Sequence, residues 1–196
     1  MNKEAPIERG EDNLRLLITI LLAIVLTACS SETVGNVSSN EKEDDNVVES
    51  EVGQELFTFR LTSEKARYQV GEKPNIVAEL TYKGDDKVEL GHGGSWVLLN
   101  TTNLSEDYRY DAMITLPHNI TPIESGQTIT EQYQFSGGTF IGLRGGNAYT
   151  EEEFLQMAEM NFPPGQYKIE GRTDFGIEGE DTRYNLETAI LIEVVE

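Results

Sequence analysis

Ile76-Val77-Ala78-Glu79-Leu80-Thr81-Tyr82 is the stretch whose reading decides the fold. Ile76, Ala78, Leu80 and Tyr82 recur at every second position, and the residues between them are smaller or polar. Period two is the signature of a strand with one face in a core. The run is bounded by Gly71-Glu72-Lys73-Pro74 before it and Lys83-Gly84-Asp85-Asp86 after it, both rich in turn-forming residues. Upstream, Phe57, Phe59 and Leu61 alternate with Thr58, Arg60 and Thr62 in the same way.

The same reading extends downstream. Tyr68 with Val70, Val88 with Leu90, and the apolar run Trp96–Leu99 are expected strands. A nine-residue strand is expected from Tyr108, Tyr110, Ala112, Ile114 and Leu116, closed by Pro117. Ile129, Glu131, Tyr133 and Phe135 make another, and Tyr167, Ile169 and Gly171 follow the turn Pro163-Pro164-Gly165. Leu186, Thr188, Ile190, Ile192 and Val194 share one face of the last strand. One helix interrupts the series. Thr150-Glu151-Glu152-Glu153 reads as a capping box, with three carboxylates at the positive end of the helix dipole. Phe154, Met157 and Ala158 form its expected inner face, and Asn161 and Pro163 end it. Seven or eight short strands without a βαβ rhythm predict a mainly β fold, an immunoglobulin-like β-sandwich over residues 56–196.

The N-terminal part has a different character. Leu16 to Val25 is apolar or small throughout, and Leu26-Thr27-Ala28-Cys29 follows. The apolar run is shorter than the roughly 20 residues needed to span a bilayer and fits a signal-peptide core. The tetrapeptide resembles the bacterial lipoprotein signal. That resemblance implies removal of residues 1–28 and a diacylglycerol thioether on Cys29, anchoring the chain to the extracytoplasmic face of the cell membrane. The alternative is a free or intermolecularly paired cysteine after a short membrane helix; Cys29 is the single cysteine, so no internal disulfide can form. The leader is unusual, because Glu4, Glu8, Glu11 and Asp12 outnumber Lys3 and Arg9 before the apolar run. Either translation starts further in, or Arg15 supplies the positive charge.

Residues 30–55 hold eight acidic residues, one lysine and no aromatic residue. Such a segment cannot bury enough apolar surface to offset its ordering entropy. Residues 29–55 are therefore read as the lipidated cysteine and a disordered tether reaching roughly 28 Å.

Charge narrows the partners. The chain carries −20 at neutral pH, and residues 56–196 hold 11 basic and 23 acidic residues. This excess repels nucleic acid and anionic lipid headgroups, so the membrane is met through the lipid alone. A protein or a wall component is the expected partner.

The turn motifs carry a resemblance. Tyr68-x-Val-Gly-Glu-x-Pro, Gly126-Gln127-Thr128 and Pro163-Pro164-Gly165-Gln166-Tyr167-Lys168-Ile169 look like Ig-like domains of bacterial surface proteins. Ala78-Glu79-Leu80-Thr81-Tyr82-Lys83-Gly84 followed by His92-Gly93 looks similar to uncharacterised lipoproteins of Bacillus and its relatives. The same motifs are loosely similar to the domain of the Bacillus intracellular proteinase inhibitor. The resemblance implies a sandwich without catalytic residues, and it opens proteinase inhibition at the cell surface as an alternative to a plain binding module.

Catalytic signatures are absent from the sequence. Gly93-Gly94-Ser95-Trp96-Val97 lacks the final glycine of a nucleophile elbow, and Gln134-Phe135-Ser136-Gly137-Gly138 lacks the first. His92 and His118 are the two histidines, too few for a zinc site without cysteine. No enzyme activity, cofactor or metal is expected, with one weak exception: Asp174, Glu178, Glu180 and Asp181 set four carboxylates in one acidic hairpin, a candidate for calcium. The expected recognition elements are the Gly-rich loop with Phe140, Ile141, Leu143 and Arg144, and His92 with Trp96 at a loop–strand junction.

Overall fold

The computed structural model describes residues 46–137 and 149–196. The chain is mainly β, with two sheets and one helix among the described residues. The first sheet has the order β1-β2-β4-β8, formed by Val48–Gln54, Phe57–Ser63, Ile76–Tyr82 and Thr128–Gln132. The second has the order β3-β11-β9-β5-β6, formed by Arg67–Gln69, Glu187–Val195, Gly165–Ile177, Val88–Asn103 and Tyr108–Tyr110. Two short strands complete it: β7 (Asn119–Ile123) pairs with β5, and β10 (Arg183–Tyr184) pairs with β9. All pairings are antiparallel except that of β3 with β11. The chain thus switches sheets after β2, returns for β4, and crosses again to β5, which is the connectivity of an immunoglobulin-like sandwich.

The alternating residues fill the space between the sheets. Phe57, Phe59 and Leu61 of β2 and Ile76, Ala78, Leu80 and Tyr82 of β4 are all buried. They meet Phe175 and Ile169 of β9, Ile190 and Ile192 of β11, and Trp96 and Leu99 of β5. The ring of Phe57 lies edge-on to Phe175 at 4.9 Å, and that of Phe59 edge-on to Trp96 at 6.1 Å. Gly171 makes room for the approach: a Cβ there would stand 2.6 Å from the tip of the Phe59 ring.

Helix α1 (Glu151–Ala158) begins where the capping box places it. The Thr150 hydroxyl accepts from the Glu153 N–H, and the Glu153 carboxylate accepts from the Thr150 N–H. Met157 is fully buried and Phe154 packs on Phe135 at 5.6 Å, whereas Ala158 is exposed rather than part of the inner face.

Three further expectations are corrected. The tether does not extend to residue 55, because Val48–Gln54 is β1, paired along its whole length with β2. Ladder hydrogen bonds hold this edge strand, and Val48 and Val52 supply its modest apolar contact. The Gly-rich stretch at 91–95 is not a loop between two strands. It lies inside the 16-residue β5, where the register shifts between His92 and Val97 as a bulge. The nine-residue strand from Tyr108 ends at Tyr110, and residues 111–118 belong to no sheet. The leader, Cys29 and the tether up to residue 45 lie outside the described residues. No helix among the described residues is long and apolar enough to cross a membrane.

Candidate functional site

Of the expected recognition residues, His92 and Trp96 lie among the described ones. Phe140, Ile141, Leu143 and Arg144 lie outside the described residues. Trp96 is 5% exposed and His92 is 8% exposed, so both belong to the interior. The imidazole of His92 is held on both sides, Nδ1 at 2.9 Å from the Gly93 carbonyl oxygen and Nε2 at 2.8 Å from the Thr121 hydroxyl. The calcium candidates separate. Asp174 sits within β9 and pairs with Arg183, while the Glu178 Oε1 is 3.2 Å from the His118 Nε2. Among the described residues no three His, Cys, Asp or Glu side chains converge on a metal position, so Asp174, Glu178, Glu180 and Asp181 are not gathered into one cluster.

What the sequence reading missed is the segment Asp111–His118. It runs eight residues without a turn or bend, across the bulge of β5. Several contacts brace it. The Ala112 N–H donates to Asn100 Oδ1 at 2.7 Å, and the Met113 N–H donates to the Ser136 carbonyl at 3.2 Å. The glycines of β5 receive the segment from beneath. A Cβ on Gly93 would stand 2.8 Å from the Thr115 carbonyl oxygen, and one on Gly94 would collide with the Thr115 hydroxyl. At the far end the His118–Glu178 pair rests on Gly91, and the Asn119 amide donates to the Gly93 carbonyl at 2.8 Å. The Gly-rich stretch is therefore a cradle for this crossover.

The braced segment turns its apolar side chains outward. Leu116 is 93% exposed, Ile114 61% and Met113 56%, with Ile120 of β7 exposed nearby in sequence. Single exposed apolar residues are ordinary on a protein surface; here three stand within one held segment of eight residues, with Ile120 just beyond it. The alternation that suggested a strand does not sort this stretch into two faces: Tyr110 is buried, Ala112 half-buried, and residues 113–118 are all exposed.

Two grooves flank the segment. One, about 540 Å³, lies on the outer face of the second sheet and is ionic, lined by Arg109, Asp111, Lys168, Glu170, Arg172 and Glu187. Its charges are largely matched: Glu170 meets Arg109 at 3.0 Å and Lys168 at 2.8 Å, and Arg109 meets Asp111 at 2.7 Å. Those bonds, to Asp111 first, raise the Arg109 guanidinium further above its ordinary value. The other groove, about 490 Å³, lies between the open edge of β8 and the bulge of β5 and is lined mainly by hydroxyl, amide and small apolar groups. Beneath the start of the segment, Tyr110 packs against Tyr149 and Phe135, and burial pushes its phenol well above the ordinary value.

No family model matches the chain, and no curated protein is significantly similar to it. Among solved structures, a β-glucosidase from Listeria innocua in complex with gluconolactone is 14% identical, the match covering 73% of this chain and 17% of that one at a TM-score of 0.32. A likeness of that size carries no argument about fold or activity.

Proposed function

We propose that the chain is a cell-envelope lipoprotein, held to the membrane by lipid on Cys29, whose Ig-like domain is a non-enzymatic binding module. The observation that carries the reading is the segment Asp111–His118, apolar, exposed and braced against the β5 glycines. Holding a loop in one conformation before contact lowers the entropy lost on binding. Presenting Met113, Ile114 and Leu116 to water has no folding benefit, so their use lies in contact with an envelope protein or wall component. The test replaces Ile114 and Leu116 together by serine. Stability is expected to change by no more than about 0.5 kcal/mol, since both residues are exposed, and capture of the envelope partner is expected to be lost. Unfolding of the double variant, or undiminished capture, contradicts the reading.

A second reading is favoured by the shape of the same segment. It is extended, braced near both ends and carries Leu116 almost fully exposed. An endopeptidase receives its substrate as an extended strand with one side chain in a pocket, so the segment suits a surface proteinase inhibitor. Inhibition of a secreted proteinase that prefers large aliphatic residues, abolished by Leu116→Asp, supports it. No inhibition across a panel of such enzymes removes it and leaves the binding module standing.

A further inference from the structure

We propose that the groove between β8 and the β5 bulge receives a lysine or arginine side chain from a protein partner, with Glu131 as its acceptor. The period of β8 puts Ile129, Glu131 and Tyr133 on the side that faces the other sheet. Ile129 and Glu131 are half-buried and Tyr133 is 2% exposed. A carboxylate therefore occupies a place where the pattern calls for an apolar residue. Withdrawing a carboxylate from water is unfavourable unless a charge or several donors meet it. Glu131 has no ion pair among the described residues.

Counting protons sharpens the point. The donor to Glu131 Oε2 is the Ser95 hydroxyl, at 2.7 Å. The Val97 carbonyl oxygen lies at the same 2.7 Å from that hydroxyl, which also accepts from the Val97 N–H at 3.0 Å. Serine carries one O–H proton and can serve one of these acceptors at a time. When it serves Val97, Glu131 is left without a side-chain donor among the described residues. Among the described residues the carboxylate thus has one shared side-chain donor, and a ligand that brings another completes it.

The surroundings select the kind of donor. The groove is lined by exposed Met113 and half-buried Leu98 and Ala112, so an alkyl stem can lie on apolar surface while its head reaches the carboxylate. The 23 acidic residues of the domain against 11 basic ones draw cations and repel anions. A charge-assisted bond to an ammonium or guanidinium group is stronger than one to a neutral hydroxyl. The inference rests on the binding-module reading only in taking the partner to be a protein; Ile114 and Leu116, which carry that reading, do not line the groove.

The test is an NMR titration of the intact, isotope-labelled chain in neutral detergent micelles. The probes are acetyl-leucyl-lysine amide, its uncharged norleucine counterpart and methyl glucoside. The expected result is saturable shifts of the Ser95, Val97 and Glu131 amides with the lysine peptide. Binding is expected to be at least about tenfold weaker for the norleucine peptide or with Glu131→Gln, the size of one charge-assisted bond, and to weaken as salt is raised. Equal binding of the lysine and norleucine peptides, shifts with methyl glucoside alone, or no shift with any probe overturns the proposal. The comparison of the two peptides needs no variant, so a Glu131→Gln protein that folds poorly leaves the test intact. Leu116→Ser separates the two readings: it is expected to lose the envelope partner and keep the lysine peptide.

Discussion

The carbonyl oxygen of Thr115 occupies the space above Gly93, 2.8 Å from where a Cβ would stand. A backbone carbonyl cannot rotate away as a side chain can. Gly93→Ala is therefore expected to lift the segment Asp111–His118 from its cradle. Overpacking of this kind costs about 1–3 kcal/mol. Thermal unfolding should show the loss, and partner affinity should fall because the segment is no longer held. Gly94→Ala meets the Thr115 hydroxyl, which can turn aside, and should cost less. Equal effects from the two substitutions would contradict the cradle.

Thr101 and Tyr133 join the two sheets through a buried hydrogen bond between their hydroxyls. Thr101→Val is expected to cost about 1–3 kcal/mol, the desolvation penalty of a buried phenol left without its partner. Adding Tyr133→Phe removes that penalty, and the double variant should recover most of the loss. A double-mutant cycle from denaturant unfolding measures it, and additive losses would count against the bond.

Alkaline pH should destabilise the domain. Burial pushes the Tyr133 phenol up to about 12, the hydrogen bond with Thr101 acting weakly the other way. Burial also raises Tyr110 and Tyr167 well above their ordinary values. The unfolded chain loses these protons near pH 10 while the folded chain keeps them. The stabilisation is thus complete below pH 10 and is lost as pH rises through 10 towards 12, about 3 kcal/mol from Tyr133 alone by the end of that window. Unfolding midpoints measured from pH 8 to 11.5 should fall above pH 10, and less steeply in Tyr133→Phe. A flat profile would mean that these rings are not buried.

The legible parts of the chain were those where one force dominates. Phe57–Leu61 and Ile76–Tyr82 alternate because each strand has one buried face, and every inward residue named from the pattern is buried. Thr150 and Glu153 announce the helix start through a local pair that needs no tertiary context. Strand β1 was hidden, because Val48-Glu49-Ser50-Glu51-Val52 has the composition of a solvated tether and is ordered by backbone pairing with β2. The glycines of β5 read as a loop, since the need for close approach by Thr115 is a tertiary fact. Residues 111–116 alternate as a strand would, but they pair with no strand where they pass the β5 bulge, and 113–118 are exposed at every position. Glu131 did give a signal, a carboxylate in series with Ile129 and Tyr133, and an inward-facing charge is the kind of inconsistency that marks a site.

Site-directed photo-crosslinking from position 116 in native cell envelopes tests the binding-module reading most directly. Leu191 on β11, also exposed at 59%, is the control. The expected result is one discrete adduct from position 116 and none from position 191. No adduct from 116, or the same adducts from both positions, would contradict it.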